Sequence, residues 1–143
     1  MLEDLYREVI LKHYQSPANR REIESPDVTA SASNPLCGDE ITILAVIGAD
    51  GSIADASFHA RGCSISQASA DMMADVVRGR SLVEAREAIS RVEEMLVGGS
   101  DDVADLGELE ALRSVRKFPV RIRCAMMAWE TLRNGIDAYE RRA

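Results

Sequence analysis

Residues 41–60 of the 143-residue chain read ITILAVIGADGSIADASFHA. Two strand-like runs, 41–47 and 53–60, flank the turn signal Asp50-Gly51, which predicts a β-hairpin. A shorter run of the same kind, 28–32, precedes the hairpin and predicts one more strand. The three runs together predict a small antiparallel sheet.

The hydrophobic period changes from two to about 3.6 after Gly62. Apolar residues between 65 and 77 recur every three or four positions, which predicts a helix that ends near Gly79. Ser81 and Glu84 have the spacing of a capping box and predict the start of a second helix, which ends at Gly98-Gly99. Helices therefore follow the sheet along the chain.

Three further helices complete the sequence-based prediction. An amphipathic helix opens the chain and ends before Ser16-Pro17, and a short helix covers 108–115. Pro119 is expected to break the chain, so the last helix is predicted to begin near Cys124. Strands followed by helices predict an α+β fold, in which a three-stranded antiparallel sheet packs against several helices.

Composition restricts the class of protein. With 46% hydrophobic and 29% charged residues, the chain can bury a core as a single domain, 1–143. A net charge of −7 argues against nucleic acid as a partner, because nucleic-acid binders normally have a basic excess. No run reaches the roughly 20 apolar residues of a membrane helix. The start of the chain, with Glu3 and Asp4, lacks the pattern of a secretory signal, so we expect a cytoplasmic protein.

The three cysteines, Cys37, Cys63 and Cys124, do not form the even set of a disulfide framework. In a reducing compartment such thiols are free, catalytic or bound to metal. Pro35 and Gly38 flank Cys37 and favour a curled loop, whereas the other two cysteines lie near the predicted starts of helices. The partial positive charge of a helix N-terminus favours the thiolate, which is the form that binds metal and attacks sulfur.

A tetrahedral zinc site needs four ligands, and the thiolates of the three cysteines with the carboxylate of Asp39 would supply them. Each residue also has a simpler interpretation. A single cysteine is often a small buried hydrophobic residue, and an aspartate in this position is often a solvated turn residue. His13 and His59 are further candidate ligands, although His13 is more typical of a helix-face residue and His59, which alternates with Phe58, points either to the cleft or to solvent.

Three motifs together resemble those of the IscU-like family of iron–sulfur cluster assembly proteins, in its SufU-type branch. They are NPLCGD at 34–39, GCSISQAS at 62–69 with Met72-Met73, and FPVRIRCA at 118–125 with Trp129. The long segment between the second and third cysteines is similar to that of the SufU type. The resemblance implies an IscU-like fold, a zinc ion held by Cys37, Asp39, Cys63 and Cys124, and a SufS-type cysteine desulfurase as partner.

The chain departs from the scaffold branch of that family at two positions. The scaffolds have a histidine immediately before the third cysteine, where this chain has Arg123, and arginine does not ligate cations. The scaffolds also have a double proline in the preceding segment, where this chain has only Pro119. We therefore expect neither a histidine-assisted cluster site nor a dedicated chaperone.

Three functions remain compatible with these residues. In the first, Cys37 accepts persulfide sulfur from the desulfurase and the protein passes it to downstream cluster-assembly proteins. In the second, the same three cysteines and Asp39 hold iron while a [2Fe–2S] cluster is assembled and transferred. In the third, the zinc is purely structural and the protein is an adaptor. The resemblance to the SufU type favours the first.

Positive charge is concentrated before Cys124 in this otherwise acidic chain. The cluster either faces solvent or steers an acidic surface of the desulfurase toward the thiols, and the sequence supports both interpretations equally. The cluster consists of Arg113, Arg116, Lys117, Arg121 and Arg123.

Overall fold

The computed structural model describes residues 2–35, 38–102 and 106–142. One helix precedes three strands, and four further helical segments follow them. In chain order the elements are α1 (Leu2–Gln15), β1 (Val28–Asn34), β2 (Asp39–Ile47), β3 (Ile53–Arg61), α2 (Ser64–Val77), α3 (Leu82–Leu96), a 3₁₀ helix (Gly107–Lys117) and α4 (Pro119–Arg142). The predicted α+β class is confirmed.

The three strands form an antiparallel sheet in the order β1-β2-β3. The predicted hairpin is present between β2 and β3, and its register places Ile43 opposite Phe58, both fully buried. The strands β1 and β2 form a hairpin as well, in which Asn34 pairs with Asp39. This pairing makes Asp39 the first residue of β2 and places it at the end of the sheet next to the turn.

Helices cover one face of the sheet, with α4 against β1 and β2 and α2 against β3. The helix α1 packs on α2, and α3 packs on α4. Gly135 allows the close approach of α4 to β1, because a Cβ there would stand 2.7 Å from Val28 Cγ1. The buried apolar residues form a continuous core from contributions of the sheet and of the helices.

The capped helix after residue 80 forms as predicted. Ser81 Oγ accepts a hydrogen bond from the Glu84 backbone N–H, and the Glu84 carboxylate accepts one from the Ser81 backbone N–H. The predicted inner face of this helix is buried, with Ala85, Ile89 and Val92 fully inaccessible to solvent. Within the described ranges, no helix has both the length and the apolar composition required to cross a membrane.

The prediction for the start of the last helix was wrong. The helix α4 begins at Pro119, because proline has its φ already set for the first helical position and needs no N–H there. Cys124 is consequently the sixth residue of α4, beyond the first turn in which a helix N-terminus favours thiolate most strongly. The short helix predicted over 108–115 is a longer 3₁₀ segment.

Candidate metal centre

Asp39, Cys63 and Cys124 meet at one end of the sheet. One ligand atom from each, a carboxylate oxygen and two sulfur atoms, lies within 4.8 Å of the other two. Three different elements bring them together, since Asp39 begins β2, Cys63 immediately precedes α2 and Cys124 lies in the second turn of α4. The structure therefore assembles three of the four residues that the sequence proposes as ligands.

The carboxylate of Asp39 is completely buried. Its Oδ1 accepts a hydrogen bond of 2.8 Å from the Cys63 backbone N–H, and its Oδ2 lies 3.6 Å from Cys63 Sγ. Burying a carboxylate is costly unless hydrogen bonds or a metal ion compensate the charge. The interpretation of Asp39 as a solvated turn residue is therefore wrong.

Gly62 makes the approach of Asp39 to Cys63 possible. Its φ of 125° is rarely adopted by residues with a side chain, and a Cβ at this position would stand 2.7 Å from Asp39 Cγ. The sequence indicated Gly62 as the point where the hydrophobic period changes and as the first residue of the motif 62–69. Its contact with Asp39 could not be predicted, because the two residues are 23 positions apart and the contact depends on the strand register.

Polar side chains at the start of α2 surround Cys63. Ser66 Oγ lies 3.7 Å from Cys63 Sγ and donates a hydrogen bond of 3.1 Å to the Cys63 carbonyl. Gln67 Nε2 donates to the Gly62 carbonyl, and Gln67 Oε1 accepts from Arg20 at 2.7 Å. These contacts fix the backbone on both sides of the Gly62–Cys63 peptide. No role at the site was predicted for Ser66, Gln67 or Arg20, although Ser66 and Gln67 lie within the motif 62–69.

Cys37 lies outside the described residues, so its role as a ligand and as the sulfur acceptor remains a prediction. The described residues on either side are informative about the turn. Gly38 has a φ of 72°, and its backbone N–H donates a hydrogen bond of 2.8 Å to the Asn34 carbonyl. In sequence, Cys37 precedes the buried Asp39 by two residues.

The two candidate histidines do not belong to this group of three. His59 is paired with Glu22 at 2.9 Å on the surface. His13 lies in a separate buried group, where its Nδ1 is 2.6 Å from Asp71 Oδ2 and its Nε2 is 3.2 Å from Glu108 Oε1. Both ring nitrogens of His13 are thus engaged by carboxylates.

The group around His13 is a network of ion pairs and hydrogen bonds. Asn19 Nδ2 donates to Asp71 Oδ1 and to Asp75 Oδ1, each at 2.9 Å, and Arg78 lies 3.5 Å from Asp75 Oδ1. The hydrogen bond to Asp71 raises the pKa of His13 above its ordinary value, although burial acts in the opposite direction. The network joins α1, α2 and the 3₁₀ helix, and it stabilises the fold rather than forming part of the centre.

The donor set of the three-residue group fits a metal ion. Thiolates and carboxylates are both ligands that zinc accepts, and cysteine thiolates also hold iron in iron–sulfur clusters. Three described donors leave one position of a tetrahedral site for a further ligand. The sequence offers Cys37 for that position.

The basic cluster divides into two parts in the structure. Arg113 and Arg116 both bind Asp101 Oδ1, at 3.0 Å and 2.7 Å, and Arg116 also donates to the Ser100 carbonyl. Arg121 is exposed and lies over the ring of Phe118, with 5.6 Å between the guanidinium carbon and the ring centroid. The first two arginines thus have structural partners within the chain.

Residues 5–143 match the family model described as the NifU-like N-terminal domain. The chain belongs to this family. The zinc-dependent sulfurtransferase SufU of Bacillus subtilis is 39% identical over 140 residues, which are 97% of this chain and 94% of that protein. The iron–sulfur cluster assembly scaffold protein IscU of Thermotoga maritima is 32% identical over 137 residues, 96% of each chain.

A solved structure confirms the IscU-like fold predicted for this family member. It is the crystal structure of a protein described as an iron–sulfur cluster assembly scaffold for the SUF system, from thermophilic Fervidobacterium islandicum. The two structures agree with a TM-score of 0.84 at 30% sequence identity, over 90% of this chain and 93% of the other. The resemblance inferred from the three cysteine motifs is thereby confirmed, and the function lies in iron–sulfur cluster assembly.

Proposed function

We propose that this protein is a zinc-dependent sulfur carrier of the SufU type. It accepts persulfide sulfur from a SufS-type cysteine desulfurase at Cys37 and passes it to downstream cluster-assembly proteins. The observation that supports this proposal most strongly is the buried group of Asp39, Cys63 and Cys124, in a chain 39% identical to a zinc-dependent sulfurtransferase. We further propose that the 143 residues act as one domain in the cytoplasm, where a reducing environment keeps the thiols free.

In the proposed site Cys37, Asp39, Cys63 and Cys124 hold the zinc ion. When bound, zinc keeps cysteine ligands in the thiolate form at neutral pH. The hydrogen bond from the Cys63 backbone orients the carboxylate of Asp39, and burial of Asp39 and Cys124 restricts access of water. Asp39, Cys63 and Cys124 would retain the metal, which would leave the thiolate of Cys37 available to react.

The proposed transfer is a thiol–disulfide exchange. The thiolate of Cys37 attacks the outer sulfur of the persulfide on the desulfurase, and the S–S bond of that persulfide breaks. The desulfurase cysteine leaves as a thiolate, and Cys37 becomes the persulfide. No external oxidant or reductant is required, because the sulfane sulfur moves between two thiolates.

Two observations favour Cys37 over the other two cysteines as the acceptor. Cys63 caps α2 and Cys124 lies within α4, so regular structure holds both of them. Cys37 is flanked in sequence by Pro35 and Gly38 at the turn between β1 and β2. Binding and reactive groups are commonly placed on such connections, which adapt more readily to a partner than helices do.

The second candidate function is assembly of a [2Fe–2S] cluster on the same residues. Relatives named IscU scaffolds support it, including one that is 32% identical over nearly the whole chain. Arg123, which precedes Cys124, argues against it, because arginine does not supply the extra ligand that a histidine would. We therefore rank sulfur transfer first.

Metal analysis of gently purified protein separates the two functions. The proposal predicts about one zinc per chain, with little iron and no visible absorption, as expected for a filled d shell. Stoichiometric iron with the absorption of a cluster, and sulfur that is retained only in the presence of iron, would favour the scaffold instead. Reconstitution of the metal-free protein with zinc and with iron in parallel serves as the control for loss of metal during purification.

A further inference from the structure

A buried hydrogen-bonded bridge joins α2 to α4 beside the proposed metal centre. Ser69 Oγ donates a hydrogen bond of 2.6 Å to the Ala125 carbonyl and accepts one of 2.8 Å from Trp129 Nε1. None of these three residues is accessible to solvent. Both hydrogen bonds are buried, and an unpaired hydroxyl, carbonyl or indole N–H would be costly there.

The bridge connects the two helices on which the described cysteines depend. Cys63 caps α2, and Ser69 lies in that helix six residues later. Cys124 and Ala125 are neighbours in α4, and Trp129 lies one turn further along the same helix. The Ser69 hydroxyl therefore contacts α4 at two residues one turn apart. These two contacts fix both the axial position and the rotation of α4 relative to α2.

We propose that Ser69 and Trp129 are positioning residues for the metal centre, and that their bridge sets the distance and direction of Cys63 relative to Cys124. The inference depends on the metal site of the proposed function. A metal ion has strict requirements for ligand distance and angle, so a helix free to rotate or slide by a fraction of an ångström presents its thiolate less favourably. Groups that orient metal ligands typically change metal affinity about 10- to 100-fold when removed.

The test compares Ser69→Ala with a matched variant, Thr131→Val. Thr131 is also buried, but its hydroxyl donates to the Met127 carbonyl of its own helix at 2.6 Å, so its loss leaves the contact between α2 and α4 unchanged. Zinc affinity is measured by competition with a chelator, on metal-free samples shown by circular dichroism to be folded. The absorption spectrum of the Co²⁺-substituted protein reports the geometry of the site independently of affinity.

We expect Ser69→Ala to weaken zinc binding about 10- to 100-fold and to change the Co²⁺ ligand-field bands. Thr131→Val should leave the zinc affinity within about threefold of the parent value and the Co²⁺ bands unchanged. Trp129→Phe removes one of the two hydrogen bonds and should produce an intermediate loss of affinity. If Ser69→Ala does not fold without metal, Trp129→Phe provides the decisive comparison with Thr131→Val.

Parent-like zinc affinity and Co²⁺ spectra in Ser69→Ala and Trp129→Phe would overturn the inference, even if both variants were less stable. Equal loss of affinity in Thr131→Val would overturn it as well, since general destabilisation would then explain the effect. Failure of the proposed function has a different signature. In that case the parent itself would bind no zinc, or Cys63→Ala would bind zinc as tightly as the parent.

Discussion

Gly62 and Asp39 approach each other more closely than a side chain at position 62 allows. Replacing Gly62 with Ala should therefore cost more than the strain of a positive φ alone, which is about 1–3 kcal/mol, because Asp39 must also move. We expect a larger loss of unfolding free energy than in Gly51→Ala, where φ is also positive but the Cβ would meet no atom within 4 Å. Zinc affinity should fall in Gly62→Ala only. Equal losses of stability and unchanged zinc binding in the two variants would contradict the close contact.

Removal of a ligand thiol should lower metal content and stability together. Cys63→Ala and Cys124→Ala should lose most of their bound zinc. In the parent, free zinc at 100 times its dissociation constant would stabilise the folded state by about 2.7 kcal/mol, and the variants should lack this stabilisation. Thermal unfolding with and without a chelator measures this contribution. In both variants the chelator should have little further effect. A chelator-induced shift as large as that of the parent would exclude the altered residue as a ligand.

Asp39 can be tested separately as a ligand and as a hydrogen-bond acceptor. Asp39→Asn retains an oxygen that can accept from the Cys63 backbone N–H but removes the negative charge, whereas Asp39→Ala removes both. We expect both variants to bind zinc more weakly, and only Asp39→Ala to lose about 1–3 kcal/mol of stability in the metal-free form. X-ray absorption should detect a changed oxygen ligand in each variant. An unchanged coordination sphere would remove Asp39 from the site.

At the scale of elements, the sequence predicted the types of most elements correctly and their bounds less well. Alternation and the Asp50-Gly51 turn were sufficient for the β2–β3 hairpin, and the capping box was sufficient for the start of α3. Pro119 predicts a break, because proline inside a helix removes a backbone hydrogen bond and clashes with the preceding turn. No local sequence pattern distinguishes a helix-breaking proline from a proline at the favourable first helical position, which Pro119 occupies in α4.

The site was predicted as a set of residue types and not as a geometry. Cysteines and an aspartate near changes of local structure suggested a metal site, and the structure brings Asp39, Cys63 and Cys124 together. The packing of β2 and α2 against α4 produces this proximity, and packing between distant segments cannot be inferred from local periodicity. For the same reason the hydrogen bond between Ser69 and Trp129 could not be predicted, although both residues belong to the motifs that carry the family resemblance.

The buried His13 network predicts a particular dependence of stability on pH. Because the folded-state pKa of His13 is raised, protonation stabilises the folded protein fully below the unfolded pKa of about 6.5. This stabilisation is lost as the pH rises through the folded pKa. Each tenfold increase in proton affinity on folding corresponds to about 1.4 kcal/mol.

Urea unfolding of the parent and of His13→Gln, with a chelator present to exclude metal effects, measures this contribution. The difference in unfolding free energy between the two proteins should be largest near pH 6 and decrease toward higher pH. The difference cancels the titration of groups that do not interact with His13, and the carboxylates that pair with it, Asp71 and Glu108, ordinarily titrate well below pH 6. A constant or increasing difference from pH 6 to pH 9 would contradict a raised pKa for His13.

At the scale of the whole molecule, the chain has a net charge of −7, but basic residues are concentrated on the surface near the start of α2. A groove of about 400 Å³ lies next to the start of α2, and its lining includes the exposed Phe118 together with Arg7, Lys117 and Arg121. Arg113 and Arg116 are paired with Asp101, so they contribute less to an external field. Arg121, which is exposed beside this groove, is therefore the member of the basic cluster best placed to attract an acidic partner.

Charge reversal tests this assignment. Arg121→Glu should slow association with a SufS-type desulfurase about three- to tenfold at low salt and reduce its salt dependence, while zinc content stays constant. Arg141→Glu provides the matched control, because it makes the same change in net charge 20 residues further along α4, about 30 Å away. Stopped-flow measurements give the association rates. Equal rates for the two variants would assign the basic residues to a solvated face.

Mapping of transferred sulfur tests the central claim most directly. The zinc-loaded protein is incubated with desulfurase and cysteine, trapped with an alkylating agent and analysed by mass spectrometry of its peptides. We predict one extra sulfur on the peptide that contains Cys37, no transfer to Cys37→Ser, and transfer that does not require iron. Extra sulfur chiefly on Cys63 or Cys124, transfer that persists in Cys37→Ser, or sulfur retained only when iron is present would contradict the account.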